Sequence, residues 1–148
     1  MTDMEVSEIF DDAFVSVTGR LASLNLDKMD DGIKDGDKII GSISAKGKFN
    51  AHIVCEISPA VYEYIIYKMT RGAAIPAMEK VLYINEYLNI VCGYALSKIN
   101  NELGGASRLT VPVFCYDMRS FKKEEDCEQR VALNYETEKG KICVSVYY

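Results

Sequence analysis

Apolar residues recur at intervals of three and four positions in the first segment of the chain. Residues 5–23 place six of them at this spacing, which predicts an amphipathic helix: Val6, Ile9, Phe10, Phe14, Val17 and Leu21. A second helix is predicted over 58–72 from the residues at its ends. Ser58 can cap it, Pro59 suits a first turn because its missing N–H is not needed there, and Gly72 suits the exit.

A third, longer helix is predicted over 75–105. It begins near Pro76 and stops at Gly104-Gly105. It is therefore about 27 residues, or about 40 Å, long. We expect a helix of this length to form the spine of the domain.

Alternating patterns predict strands in the rest of the chain. Residues 38–57 predict two antiparallel strands joined near Lys46-Gly47, because five residues share one face in the second half: Phe49, Ala51, Ile53, Cys55 and Ile57. Three further strands are predicted at 108–117, 129–138 and 139–148, the last two joined by a turn at 138–140. Asp-Gly signals make 27–38 a loop or hairpin tip.

Helices and strands come in blocks rather than in strict alternation. This order predicts an α+β fold, with an antiparallel sheet packed against long helices. No linker or low-complexity stretch divides the 148 residues. The sequence therefore predicts a single domain over residues 1–148.

Composition and charge exclude several function classes. With 49% hydrophobic and 26% charged residues the chain is typical of a globular protein. A net charge of −5 argues against nucleic-acid binding, which needs clustered Lys and Arg. The charged run 121–130 is mixed in sign and reads as a solvated loop or strand entry. No apolar run is long enough to cross a membrane.

The cysteine and histidine content indicates a reducing compartment and argues against catalysis that depends on zinc or on a histidine base. Five cysteines without a C-x-x-C pair, and an acidic start without signal-peptide features, favour a cytoplasmic location. His52 is the only histidine, and its strand-like surroundings favour a structural role. The sequence lacks the residues that a zinc site, a Ser-His-Asp hydrolase or a nucleotide-binding loop requires.

The long predicted helix carries an apolar face and a bordering polar strip. At 100° per residue the apolar face contains Met78, Val81, Leu88, Cys92, Ala95, Leu96, Ile99 and Leu103. The strip beside it contains Glu79, Leu82, Glu86, Asn89, Gly93, Ser97 and Asn100. Asn85 lies close to the apolar face and would need hydrogen-bond partners if buried.

Glu86, Asn89 and Gly93 form the most informative group on this strip. Glu86 and Asn89 project side by side, about 5–6 Å apart at Cβ. Gly93 costs roughly 1 kcal/mol relative to alanine inside a helix. Close packing of another backbone or a groove for a partner would each compensate for it. On spacing alone, a solvated charge and a locally bonded asparagine remain the simpler interpretation.

The wider pattern resembles the CheC/CheX/FliY phosphatases of bacterial chemotaxis. The resemblance rests on Glu-x-x-Asn in a long helix, the continuation Gly93-Tyr94-Ala95, and Pro112 after 22 intervening residues. "IIGSISAKGKFNAHIVCEISPAVYEYIIYKM" is similar to the family's strand–strand–helix lead-in, and "NYETEKGKICVSV" to its closing hairpin. The single site and short chain are most similar to CheX-like members. The resemblance implies a CheC-like fold over nearly the whole chain, more loosely over 1–37.

The resemblance also implies an activity. The family removes the phosphoryl group from the aspartyl-phosphate of a response regulator such as CheY. By similarity, Asn89 orients the attacking water and Glu86 engages the regulator's active-site lysine, while Gly93 and Leu82 lie where the partner binds. Mg²⁺ belongs to the phosphorylated receiver, so no metal or cofactor of the chain's own is expected. CheX-like proteins dimerise by joining sheets, which implies a homodimer.

Two other functions stay open. The family often has Asp or Ser where this chain has Leu82, and many members have Asn where it has Tyr94. Bulky apolar residues there would block close approach, which favours a non-catalytic module that binds a receiver domain or flagellar-switch component. The tyrosine-rich ends "YEYIIY" and "SVYY" favour a structural homo-oligomer, although core packing is the simpler interpretation.

Three other residues are interpreted as structural or surface residues rather than as parts of a site. Pro112 within a predicted strand indicates an edge or bulge position. Glu8 and Asp11 repeat the i, i+3 spacing with a carboxylate in place of the amide. We interpret them as surface charges rather than a second site.

Overall fold

A computed structural model describes residues 1–33, 36–115 and 127–148. In chain order the elements are α1 (Asp3–Ala22), β1 (Asp27–Lys28), β2 (Ile39–Gly47), β3 (Ala51–Ile57), α2 (Pro59–Met69), α3 (Ala77–Leu103), β4 (Ser107–Leu109), β5 (Val113–Cys115), β6 (Arg130–Thr137) and β7 (Gly140–Tyr147). This is the predicted α+β arrangement, except that β1 forms at the start of 27–38, where a loop or hairpin tip was predicted. Within the described ranges, no helix is both long and apolar enough to span a bilayer.

The strands form one antiparallel sheet in the order β1-β6-β7-β3-β2-β4, with β5 also paired to β2. The register aligns apolar residues of neighbouring strands on one face. Ile53 of β3, for example, pairs with Ile43 of β2 and Val146 of β7. Because side chains alternate across a strand, this single face is apolar along the whole sheet. The alternation predicted for residues 49–57 is confirmed.

The three helices pack against this apolar face. Thr2 and Glu5 form a capping box that starts α1, and eight residues of α1 are buried. α3 packs through residues that we call its core face: Ile84, Tyr87, Leu88, Val91, Cys92, Ala95, Leu96 and Ile99. The Tyr87 hydroxyl lies 2.6 Å from the hydroxyl of Thr18, which joins α3 to α1 in the interior.

The ends of the predicted helices agree with the structure to within three residues, the largest difference being at the end of α2. Ser58 does not act as the predicted side-chain cap of α2, because its hydroxyl accepts a hydrogen bond from the backbone N–H of Lys141 at 2.9 Å instead. Gly72 follows α2 with φ of +78°, a conformation that glycine adopts readily. Of the tyrosines in "YEYIIY", Tyr62 is buried and Tyr67 is exposed.

The predicted apolar face of the long helix is wrong over its first turns. Met78 is 85% exposed and Val81 is 38% exposed. The periodicity that placed them on the core face continues along the helix, but among the described elements none covers that side of the first two turns. Lys80 in this part of the helix forms an ion pair with Glu63 of α2 at 2.9 Å.

The strand predicted over 108–117 is instead two short strands, β4 and β5, separated by 110–112. Pro112 lies in this break at the edge of the sheet, which agrees with its predicted edge position. Thr110 anchors the break to β2, because its backbone N–H donates to Ser44 O at 2.8 Å and its hydroxyl accepts from Ser44 N–H at 2.9 Å. The charged run 121–130 was predicted as a solvated loop or strand entry. Residues 121–126 of it lie outside the described residues.

Candidate functional site

Glu86 and Asn89 lie in the middle of α3 and both are exposed. Their spacing of three residues places them on the same side of the helix. Neither side chain makes a hydrogen bond or an ion pair with any described residue. The simpler interpretation of the sequence, in which Asn89 is hydrogen-bonded locally, is therefore not what the described residues show. The pair presents a carboxylate and a carboxamide to the surroundings.

The pair lines an open groove of about 430 Å³. One wall is the side of α3 that carries Leu82, Asn85, Glu86 and Asn89, which we call the groove face. The opposite wall is the link between β4 and β5: Leu109, Thr110, Val111 and Pro112. Because Thr110 fixes this link to β2 by two hydrogen bonds, the groove has two firmly held walls.

Exposed apolar side chains surround the polar pair. Leu82, one turn before Glu86, is 66% exposed, and Val111 on the opposite wall is 81% exposed. Met78 and Val113 extend this exposed apolar border at its two ends. Of the eight large apolar residues that are exposed among the described ones, five lie on the first half of α3 or on the β4–β5 region. Such clustering is typical of a surface that contacts another protein.

Asn85 sits between the groove face and the core face. It is half-buried, and its Oδ1 atom is fully buried without a hydrogen-bond partner among the described residues. Leaving a buried amide oxygen unpaired costs about 1–3 kcal/mol. The position of Asn85 beside the apolar face predicted a need for hydrogen-bond partners, but no feature of the sequence indicated a role for it.

Gly93, one turn after Asn89, is not required by tight packing. A Cβ atom built there would have Leu109 Cδ1 as its nearest heavy neighbour, at 4.0 Å, which is ordinary contact. This removes the close approach of another backbone as the explanation for the glycine. Of the two explanations that the sequence offered for Gly93, clearance for a partner remains.

Tyr94 does not border the groove. Arg20 of α1 lies 5.6 Å from the centre of its ring, and Lys98 lies 4.9 Å from it. Lys98 also pairs with Asp12 of α1. Tyr94 therefore faces α1, and of the two bulky residues that favoured a blocked site only Leu82 is beside the pair.

The other titratable groups serve the interior or the surface. His52 Nδ1 lies 3.0 Å from the buried Ser44 hydroxyl, in agreement with a structural role. Burial raises the pKa of Cys55, Cys92 and Tyr87, so these groups stay neutral. Among residues 1–33, 36–115 and 127–148, no group of three or more metal-ligating side chains could hold an ion.

Asp11 is more than the predicted surface charge. It accepts a hydrogen bond from the Tyr135 hydroxyl at 2.6 Å, and Lys28 Nζ lies 3.4 Å from its Oδ2. Glu8, on the same helix, is exposed, in agreement with a surface charge. Asp11 thus ties α1 to β6, which is a structural role.

The opposite wall of the groove was missed by sequence reasoning. Leu109 to Val111 carry no recognisable motif, and Pro112 gave the only signal through its spacing from Asn89. Pro112 was assigned to structure alone, whereas it lines the groove with the polar pair.

Comparison with known proteins supports the fold. No protein family model matches the sequence, and no characterised protein matches it at a significant level. Solved structures do match. A CheX chemotaxis protein from Desulfovibrio desulfuricans has a TM-score of 0.80 at 14% identity, over 97% of this chain and 99% of that one. CheX from Vibrio vulnificus has a TM-score of 0.77 at 20% identity, over 99% and 98%.

A third match comes from a complex. The CheX–CheY–BeF₃–Mg²⁺ structure from Borrelia burgdorferi has a TM-score of 0.72 at 16% identity, over 95% of each chain. The three matches span 95–99% of this chain, so the similarity is to the fold as a whole. The fold of this chain is that of the CheX proteins, as its resemblance to the CheC/CheX/FliY family predicted.

Proposed function

We propose that this protein hydrolyses the aspartyl-phosphate of a CheY-type response regulator. The observation that carries the proposal is the pair of Glu86 and Asn89, exposed, unpaired among the described residues and side by side in an open groove. Both residues are in the positions that the sequence resemblance assigns to the reaction. The complex of a similarly folded CheX with CheY, BeF₃ and Mg²⁺ supports a receiver domain as the partner.

Asn89 would hold the attacking water. Phosphoryl transfer passes through a loose transition state, so positioning and charge neutralisation do most of the work. The Asn89 carbonyl oxygen accepts a hydrogen bond from the water and directs its lone pair at phosphorus. As the water oxygen bonds to phosphorus, the bond to the aspartyl oxygen breaks, the carboxylate leaves, and the water proton ends on the released phosphate.

Glu86 would engage the partner's lysine. An exposed carboxylate without a cation among the described residues can pair with an ammonium group when the groove meets the receiver. Desolvation in the complex strengthens such a pair relative to water. Mg²⁺ is supplied by the receiver in this proposal, and this chain needs no cofactor of its own.

The exposed apolar border would be the contact surface. Leu82 and Val111 flank the polar pair from opposite walls, and both would bury apolar area against a docked receiver. Gly93 would supply clearance beside Asn89, since no described neighbour lies within ordinary contact of its Cβ position except Leu109. The docked surface thus surrounds the reacting groups and excludes bulk water from them.

The test is phosphate release from CheY-type receiver domains charged with a small phosphodonor. The protein should accelerate release from at least one receiver, and Asn89→Ala should lower kcat by about 100-fold or more. Asn101→Ala is the matched control, because Asn101 is exposed on the same helix outside the groove. An Asn89→Ala rate equal to that of the parent protein would overturn the assignment.

The second candidate function is a non-catalytic binding module for a receiver or flagellar-switch component. Leu82 favours it, because this bulky side chain is exposed next to Glu86 and narrows the approach to the pair. Binding to a BeF₃⁻/Mg²⁺-loaded receiver without any acceleration of dephosphorylation would select this function. Leu82→Ser should then create or raise activity, whereas it should only weaken binding in an active phosphatase.

The proposal includes a homodimer in the cytoplasm. Among the described residues, β1 and Met29 pair with β6 from Asn134 to Glu136, and no described strand pairs with its outer edge over residues 130–133, which would leave that stretch for sheet joining. Light scattering should give a mass of two chains. The cytoplasmic location follows from the proposed partner and agrees with the free cysteines at 55, 92, 127 and 143.

A further inference from the structure

The groove contains one polar side chain that neither the family resemblance nor the reaction above employs. Asn85 lines the groove together with Glu86 and Asn89. Its Oδ1 atom is buried and has no hydrogen-bond partner among the described residues. Buried amide oxygens are nearly always paired, so an unpaired one beside a candidate reaction site calls for a functional account.

Asn89 is a donor that the helix places near it. Asn85 precedes Asn89 by four residues, which places the two amides one turn apart on the same side of α3, about 5–6 Å apart at Cβ. The Asn89 side chain makes no hydrogen bond with any described residue. Side-chain amides at this spacing can hydrogen-bond along a helix.

We propose that Asn85 is a positioning residue for Asn89. When the receiver docks, Asn85 Oδ1 accepts a hydrogen bond from Asn89 Nδ2 and thereby fixes which end of the Asn89 amide meets the attacking water. The inference rests on the proposed function. Hydrogen bonds of this kind commonly tighten only when the partner is bound.

The fixed orientation matters because an amide has a donor end and an acceptor end of nearly equal size. With Nδ2 held by Asn85, the Asn89 oxygen points at the water and leaves the water's lone pair for phosphorus. In the reversed orientation, the Asn89 N–H would donate to the water, occupying one of its two lone pairs and drawing electron density from the other, so that the water would be a poorer nucleophile. An exposed asparagine held by nothing samples both orientations, so part of the bound population would be unproductive.

The first test replaces the amide by an apolar group of similar size. Asn85→Leu should lower kcat by about 10- to 100-fold, as expected for a misplaced catalytic group, with KM changed less than about twofold. Its Tm should be equal to or above that of the parent, because the variant removes an unpaired buried oxygen. Asn85→Asp, which keeps an acceptor in the same place, should restore most of kcat.

A double-mutant cycle tests whether Asn85 acts through Asn89. In the Asn89→Ala background, Asn85→Leu should cause no further loss of kcat, because the group that it orients is already gone. Independent effects that multiply would overturn the inference.

Asn100 provides the matched control. It lies on the same helix, and its Oδ1 is also buried without a described partner, but it is outside the groove. Its Nδ2 donates to Ser107 O at 3.4 Å. Asn100→Leu should therefore lower Tm and leave kcat unchanged, the reverse of Asn85→Leu.

The outcomes separate this inference from the function on which it rests. If Asn89→Ala abolishes activity while Asn85→Leu retains the parent kcat, the positioning role is overturned and the phosphatase stands. If the parent protein accelerates dephosphorylation of no receiver, the proposed function fails and the positioning role fails with it. A lower Tm in Asn85→Leu with unchanged kcat would assign Asn85 to the structure alone.

Discussion

On one side of α3, Tyr87, Leu88 and Val91 are fully buried, whereas on the groove face Leu82 and Asn89 are exposed. The core face is paired and packed: even its one hydroxyl meets Thr18. The groove face carries a carboxylate and two amides that pair with no described residue, an exposed leucine and, one turn beyond, a glycine without close neighbours. One helix thus combines a surface that stabilises the fold with a surface whose polar groups have no partner among the described residues.

Because the two faces differ in this way, substitutions on them should have opposite effects on stability and function. Changes on the core face should lower stability and leave the chemistry per folded molecule intact. Changes on the groove face should leave stability equal or higher and impair the function.

Ile99→Ala should have the largest effect. Ile99 is fully buried on the core face, ten residues beyond Asn89. Truncating it leaves a cavity and should lower the free energy of unfolding by about 3 kcal/mol. Urea unfolding measures the loss, and kcat per folded molecule should stay that of the parent. Ser97→Ala, exposed on the same helix, is the control, and an equal loss there would contradict the contrast.

Tyr87→Phe should have the next largest effect. The substitution keeps the buried ring but removes the hydroxyl that lies 2.6 Å from that of Thr18. Thr18 is itself fully buried, so the loss should be about 1–2 kcal/mol. Thr18→Val in the same background should recover part of it, because both partners are then apolar. No recovery would show that the pair is not coupled.

Gly93→Ala should raise stability by about 1 kcal/mol, because alanine is the better helix former and the added Cβ meets nothing closer than 4.0 Å. If Gly93 provides clearance, the same variant should bind a BeF₃⁻/Mg²⁺-loaded receiver more weakly. Gly19→Ala in α1 is the matched control, since a Cβ there has no neighbour within 4 Å. It should gain stability without losing affinity. Equal affinity in the Gly93→Ala protein would remove the clearance role.

Leu82→Ser should change the free energy of unfolding least, by less than about 0.5 kcal/mol, because the side chain is 66% exposed. Its effect should be on the partner: a KM for the phosphorylated receiver raised several-fold, with kcat nearly unchanged. Met4→Ser in α1 alters a similarly exposed apolar residue far from the groove and should leave KM unchanged. A rise in KM for both variants would indicate a nonspecific loss of apolar surface.

The sequence by itself determined the three helices and the placement of side chains along each of them. Helix boundaries follow, to within three residues, from apolar spacing and from proline and glycine positions, and the side-by-side placement of Glu86 and Asn89 follows from a spacing of three residues along one helix. Both are local properties of the chain, so no tertiary information is needed to obtain them. The α+β class follows in the same way from the order of elements.

Only the tertiary structure decided which side of α3 is covered and by what. Periodicity continues through Met78 and Val81, but burial depends on whether another element lies opposite, and there none of the described ones does. The wall of Leu109 to Pro112 comes from a segment some twenty residues away, brought beside Asn89 by its hydrogen bonds to β2. Two further features depend on neighbours that are distant in sequence: Tyr94 faces α1, and Asn85 has an unpaired buried oxygen. The surroundings of a side chain are set by packing rather than by sequence spacing.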